Sequence, residues 1–108
     1  MSDEIKTYDI NIYPQVYDSI EDIKENIADD NLDAAQEVAK DILAKIRSLK
    51  QFPNRGLNLS NRINRPSKYK YILSYEVYAI LYFVDDDTVH VADVVHMARD
   101  FSALFEKL

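Results

Sequence analysis

Two side chains near the end of the chain carry the chemistry of a metal-independent phosphodiester transfer. Histidine titrates near neutral pH, which makes His96 a candidate proton carrier, and Arg99 is a permanent cation suited to phosphate. Cutting RNA through its own ribose 2′-hydroxyl needs a base for that hydroxyl, a cation beside the phosphate and a proton donor for the leaving oxygen. Arg62, Arg65, Lys68 and Lys70 supply further cations that would hold the backbone. Each residue also has a plainer reading. A histidine at a strand end can bond backbone and order the segment after it, and Arg99 can pair with Asp100 or Asp93.

The positive charge is unevenly placed. The chain has 108 residues, with 13 Lys and Arg against 19 Asp and Glu, for a formal charge of -6. Yet Arg55, Arg62, Arg65, Lys68 and Lys70 fall between positions 54 and 75 without one acid among them. Such a stretch is either a solubilising edge that blocks strand pairing or a docking surface for an anionic target, RNA phosphate or an acidic protein segment. The net charge disfavours general coating of nucleic acid. Five of the eight tyrosines lie between Tyr69 and Tyr82. They could stack bases, but at alternating spacing they fit core and cross-strand packing.

Other chemistries drop out. A single glycine, Gly56, is too few for the glycine-rich loops that cradle nucleotide phosphates. Without cysteine there is no disulfide, thiolate metal site or thiol nucleophile. His90, His96 and the scattered carboxylates lack metal-ligand spacing, and Asp85-Asp86-Asp87 is too short for a calcium loop. No metal and no cofactor is therefore expected. Met1-Ser2-Asp3-Glu4 is acidic where a secretory leader would be basic, and the longest apolar run, Val77 to Val84, is far short of the ~20 residues that span a bilayer. A cytoplasmic, membrane-free protein is expected.

The elements that must position these residues follow from periodicity. Tyr8, Ile10 and Ile12 alternate with polar residues as in a half-buried strand. Val16, Ile20, Ile23 and Ile27 line one side of a helix from Pro14 to about Ala28. Asp29-Asp30-Asn31 offers an N-cap for a second helix from Leu32 to about Lys50, and so short a link makes the two helices an antiparallel hairpin. Pro53 and Gly56 end it. Leu57, Leu59 and Ile63 suggest a weak strand or loop, and Tyr69, Tyr71, Leu73 and Tyr75 alternate. Val77 to Val84 is apolar on both faces, as in a covered central strand. Thr88 to Val95 reads as the last strand, with Val89, Val91 and Val95 on one face and His90, Ala92 and Val94 on the other. Asp100 to Leu108 fits two turns of a short C-terminal helix. The expectation is one α+β domain over 1–108: a strand, a two-helix hairpin, then three to four antiparallel strands.

The helix ending Leu49-Lys50-Gln51-Phe52-Pro53, the strand pair Tyr78-Ala79-Ile80-Leu81-Tyr82 and Thr88-Val89-His90-Val91, and the closing Val94-Val95-His96-Met97-Ala98-Arg99-Asp100 occur in an order that resembles the RelE/ParE superfamily of toxins from type II toxin-antitoxin systems. The likeness covers almost the whole chain and is most specific to the ParE branch, at His96 and Arg99-Asp100. It implies a cognate antitoxin partner, assembled with the toxin as a hetero-oligomer, and one of two targets. RelE-like members cleave mRNA in the ribosome, which would make His96 and Arg99 catalytic. ParE-like members poison DNA gyrase without a catalytic centre of their own. Many nuclease members carry an arginine after the first aromatic of the central strand, where this chain has Ala79. That residue and the acidic net charge favour the ParE branch. Arg55, Arg62, Arg65, Lys68 and Lys70 are then the target- or antitoxin-binding candidates, and a non-toxic interaction domain of the same fold is the third reading.

Overall fold

The computed structural model describes residues 7–100. In chain order the elements are β1 (Asp9–Ile12), α1 (Pro14–Ala28), α2 (Leu32–Ser48), β2 (Leu57–Asn58), α3 (Ser60–Ile63), β3 (Lys70–Ser74), β4 (Tyr78–Asp85) and β5 (Thr88–His96). They form one five-stranded sheet in the order β1-β5-β4-β3-β2, with α1 and α2 across one face. β4 is central, as its two-faced apolar sequence requires, and Tyr78 through Tyr82 are all buried.

The helical hairpin forms where its periodicity places it. Pro14 occupies the start of α1, where its missing N–H costs nothing. The Asn31 side chain accepts a hydrogen bond from the Ala34 N–H at 3.0 Å and caps α2. Val16, Ile20 and Ile23 from α1, with Ile42, Ile46 and Leu49 from α2 and its end, pack against Ile80, Tyr82, Val89 and Val91 of the sheet. A smaller apolar cluster lies on the other face, where Leu59 covers Tyr71, Ala79, Leu81 and Val95.

Four expectations need correction or qualification. The sheet is mixed, because β1 runs parallel to β5 with Ile10 opposite Val89. Alternation in a sequence records half-burial, not the direction of the neighbouring strand. Here the direction follows from β1 running straight into α1: Asp9 N–H donates to the Asp87 carbonyl at 2.8 Å and Tyr13 N–H to that of Val91 at 3.0 Å. Second, β2 is only two residues long and Ile63 belongs to a helical turn that ends at Asn64, with φ 57°. Third, the faces of β5 change phase midway. Val91 pairs with Tyr82 and Asp93 with Leu81, so Ala92 is an extra residue and forms a bulge. Val94 therefore joins Val89 and Val91 under the helices, while Val95 turns to the other face. Finally, the helical turns expected over Asp100 to Leu108 lie, beyond Asp100, outside the described residues.

Two polar contacts bind the layers. The Tyr82 hydroxyl, fully buried, accepts the Gly56 N–H at 3.0 Å. Burial pushes its pKa above the ordinary phenol value, against the smaller opposing effects of that bond and of Arg55. A Cβ on residue 56 would overlap the Tyr82 Oη and approach the Tyr71 carbonyl to 3.0 Å, so only glycine fits. Ser74, buried at the end of β3, donates to the Asp41 carboxylate of α2 at 2.6 Å, and Lys45 donates to the same carboxylate at 3.0 Å. The Ser74 bond, followed by Lys45, holds the Asp41 carboxyl below its ordinary range despite partial burial. This clasp sits just before the β3–β4 turn, where Tyr75 and Glu76 take positive φ of 53° and 57°.

Two outcomes follow. Gly56→Ala lowers the unfolding free energy by about 2 kcal/mol through overpacking, and Tyr82→Phe lowers it by about 1 to 2 kcal/mol by orphaning the Gly56 N–H, both read from urea melts. A depressed carboxyl stabilises the fold above its unfolded pKa and loses that contribution as pH falls through the folded value. Asp41→Asn therefore shows a smaller loss of stability than the unaltered chain between neutral and strongly acid buffers.

Candidate functional site

His96 ends β5 opposite Tyr78, and the edge of one ring meets the face of the other at a centroid distance of 5.5 Å. Its Nδ1 accepts from the N–H groups of both Ala98 and Arg99 at 3.2 Å. Its carbonyl accepts from Arg99 N–H at 3.2 Å and Asp100 N–H at 2.8 Å. Two donors aimed at Nδ1 need its lone pair, so the neutral ring keeps its proton on Nε2. In that form the imidazole has no free basic nitrogen; it caps the turn after β5 and can offer one N–H outward. Arg99 is exposed, and its Nη2 lies 3.6 Å from Asp100 Oδ2. Arg99 and Asp100 border a cleft of about 350 Å³ against α1, which also presents Ser19, Asp22 and Glu25. Its carboxylates outnumber its single cation, which makes poor surroundings for a phosphate.

Past the end of β1, the side of β5 facing α1 is satisfied by side chains instead of a strand. Gln15 donates to the Ala92 carbonyl at 2.8 Å, and Ser19 donates to Asp93 Oδ1 at 2.6 Å. Asp93 also accepts the Val94 N–H at 2.8 Å, which occupies it locally, so the partner Arg99 takes is Asp100. The sequence offered no clear signal for this arrangement, because valine and alanine on either side of the bulge serve either face.

The basic stretch lies toward the opposite end of the central strands, divided between the two faces of the sheet. Arg55 Nη2 donates to Ser48 Oγ at 2.8 Å at the end of α2, beside the Gly56–Tyr82 contact. Lys70 lies opposite Tyr82 and donates to Asn58 Oδ1 at 2.8 Å. Lys68 Nζ stands 4.1 Å from the Phe83 ring centroid, a cation–π contact. The other aromatic contacts of Phe83 are a stacked His90 at 4.8 Å and the edge of Tyr69 at 5.4 Å. His90 Nδ1 in turn lies 3.0 Å from the Asn11 amide nitrogen, which donates to it. These cations do not form one patch: Arg55 and Lys70 lie with Tyr82 on the helix-covered face, Lys68 sits over Phe83 and Tyr69 on the other face, and the exposed Arg62 and Arg65 come from α3 and the turn after it.

These are two separate places. Lys70 faces Tyr82 whereas His96 faces Tyr78, four residues along the same strand and about 13 Å at the rise of a β-strand. His96 and the cations of the basic stretch do not share a site. Between them, Ala79 is fully buried with Leu59, Tyr71 and Leu81, in an apolar pocket with no space for a guanidinium. Among the described residues no cluster of His, Asp and Glu is arranged to hold a metal, and no helix is long and apolar enough to cross a membrane.

The strand–helical hairpin–sheet order is the one expected of a RelE/ParE-type toxin domain. Residues 10–101 match the family described as "ParE toxin of type II toxin-antitoxin system, parDE", and the chain belongs to that family. The fold is shared with the chromosomal ParDE toxin-antitoxin system of Pseudomonas aeruginosa, at a TM-score of 0.68 and 10% identity, covering 84% of this chain and 97% of the other. It is shared also with the toxin-antitoxin complex RelBE2 of Mycobacterium tuberculosis, at a TM-score of 0.54 and 22% identity over 88% of this chain and 97% of the other. No curated protein matches the sequence.

The capping role of His96 has a direct test. His96→Ala speeds hydrogen exchange at the amides of Ala98 and Arg99 by about tenfold, while His96→Asn, which restores a short acceptor, recovers part of the protection.

Proposed function

We propose that this ParE-family toxin stops growth by binding DNA gyrase, without cutting RNA, and that a cognate antitoxin neutralises it in the cytoplasm. The observation that carries the reading is the state of position 79. Many nuclease members of the superfamily place an arginine there, whereas Ala79 is sealed beneath Leu59 in an apolar cluster. Three further features support it. The His96 lone pair at Nδ1 is taken up by backbone N–H groups, Arg99 opens on an acidic cleft, and the net charge of -6 opposes docking on ribosomal RNA.

The antitoxin is inferred from the family and from the neighbours of shared fold, a ParDE system and a RelBE2 complex. Its proposed counterpart here is the basic segment of Arg55, Arg62, Arg65, Lys68 and Lys70, of which Arg55 and Lys70 lie on the helix-covered face and Lys68 on the other. An acidic segment that orders on binding suits such a surface.

Inducible expression, with and without the antitoxin gene, tests the reading. The expected result is arrested growth relieved by the antitoxin, loss of supercoiling by purified gyrase on addition of the toxin, and intact mRNA. Cut mRNA with normal supercoiling overturns the gyrase assignment in favour of nuclease action, and growth unaffected by expression points to an interaction domain without toxicity. In the nuclease case, His96→Ala combined with Arg99→Ala abolishes the cutting.

A further inference from the structure

The outer edge of the sheet is unfinished. β2 pairs with β3 at only two positions, Leu57 opposite Tyr71 and Asn58 opposite Lys70. Leu59 N–H donates to the Tyr69 carbonyl at 2.9 Å, so the backbone groups of Tyr69 turn toward this edge. In an antiparallel ladder the direction repeats every second residue, which turns those of Tyr71 and Leu73 the same way. The closeness of residue 56 to the Tyr71 carbonyl agrees with this. The next rung would set Arg55 against Leu73. It is missing, because the chain is pulled toward the Tyr82 hydroxyl at Gly56 and Arg55 N–H bonds the Phe52 carbonyl at 3.4 Å instead. Among the described residues the N–H and C=O of Leu73 have no ladder partner.

This edge is not protected in the ways exposed edges usually are. β3 contains no proline, and its one charge, Lys70, lies at the far end. Beside Leu73 is a cleft of about 340 Å³ lined by Lys45, Arg55, Leu57, Tyr71 and Ile72. Leu57 is 60% exposed and Phe52, just before the turn, 59%. The vacancy therefore combines main-chain donors and acceptors, apolar side chains and one available cation, Arg55, since Lys45 is already paired with Asp41. One bond to Ser48 leaves Arg55 with unused donors.

The geometry points to an extended acidic segment of the antitoxin pairing with Leu73 as a strand in line with β2, its apolar side chains against Leu57 and a carboxylate toward Arg55. The inference rests on the antitoxin reading and assigns it a place. Main-chain pairing requires a polypeptide, which nucleic acid does not supply. A second copy of this chain is disfavoured by charge: a two-fold pairing centred on Leu73 would bring Arg55 of each copy toward that of the other.

The test compares Leu73→Pro with Leu73→Ala in the full-length protein, titrated with the product of an adjacent gene that relieves its toxicity. Both substitutions lose the same leucine contacts, but only proline removes the outward N–H, a change that an edge strand accommodates. The expected result is binding about tenfold weaker for Leu73→Pro than for Leu73→Ala. Arg55→Gln should lower both affinity and its salt dependence. Hydrogen exchange on the unaltered protein decides the matter even if the proline variant fails to fold, since the Leu73 amide should be unprotected alone and protected in the complex. If the complex forms with Leu73 still exchanging freely and the two variants bind alike, strand pairing is overturned and the antitoxin reading stands. If no complex forms with the unaltered chain, both fall.

Discussion

The hydrogen bond from Gly56 N–H to the Tyr82 hydroxyl is the constraint on which the basic side of the molecule depends. A phenol at the centre of a packed sheet needs a partner for its oxygen, since an unpaired buried hydroxyl is expensive. Here the partner is backbone from outside the core, at the only residue without a side chain in the way. Meeting that need brings the segment after α2 down onto β4, sets Arg55 at the end of α2 and starts β2. It also draws the chain off before β2 can cover the rest of β3. One contact thus places the cation and leaves open the edge beside it.

The clasp of Ser74, Asp41 and Lys45 does the corresponding work at the other end of β3. It fixes α2 to the sheet immediately before a turn whose two positive-φ residues, Tyr75 and Glu76, are both side-chain-bearing. Such conformations cost energy and persist where neighbouring contacts leave the chain little choice. A rigid frame of helices and central strands therefore carries two distinct ends: one cationic and partly apolar, the other a histidine-capped turn next to carboxylates.

Much of this was legible in the residues. The three- and four-residue spacings in α1 and α2 were unambiguous because each helix buries one narrow stripe, and the two-faced apolar run of β4 announced a central strand. The charge reading identified the five cations from composition alone, since no acid interrupts them. Three things were hidden for physical reasons. The parallel pairing of β1 depends on a partner nearly eighty positions away, which alternation does not encode. The bulge at Ala92 looks like ordinary alternation because valine and alanine serve either face. The fates of His96 and Arg99 depended on local geometry, as histidine offers the same ring to a backbone donor as to a substrate. Gly56 was read only as a turn residue, and nothing near it in sequence hinted at Tyr82.

The extra residue at Ala92 reverses the parity of everything that follows it in β5. Because of that reversal, His96 emerges on the same side as Tyr78 and Met97 turns toward Leu59 and its neighbours. With an even count the imidazole would stand on the opposite surface, away from Tyr78, and the methionine would take its place beneath the helices. The face on which each side chain leaves the end of the sheet is thus set by one small residue four positions upstream of the histidine.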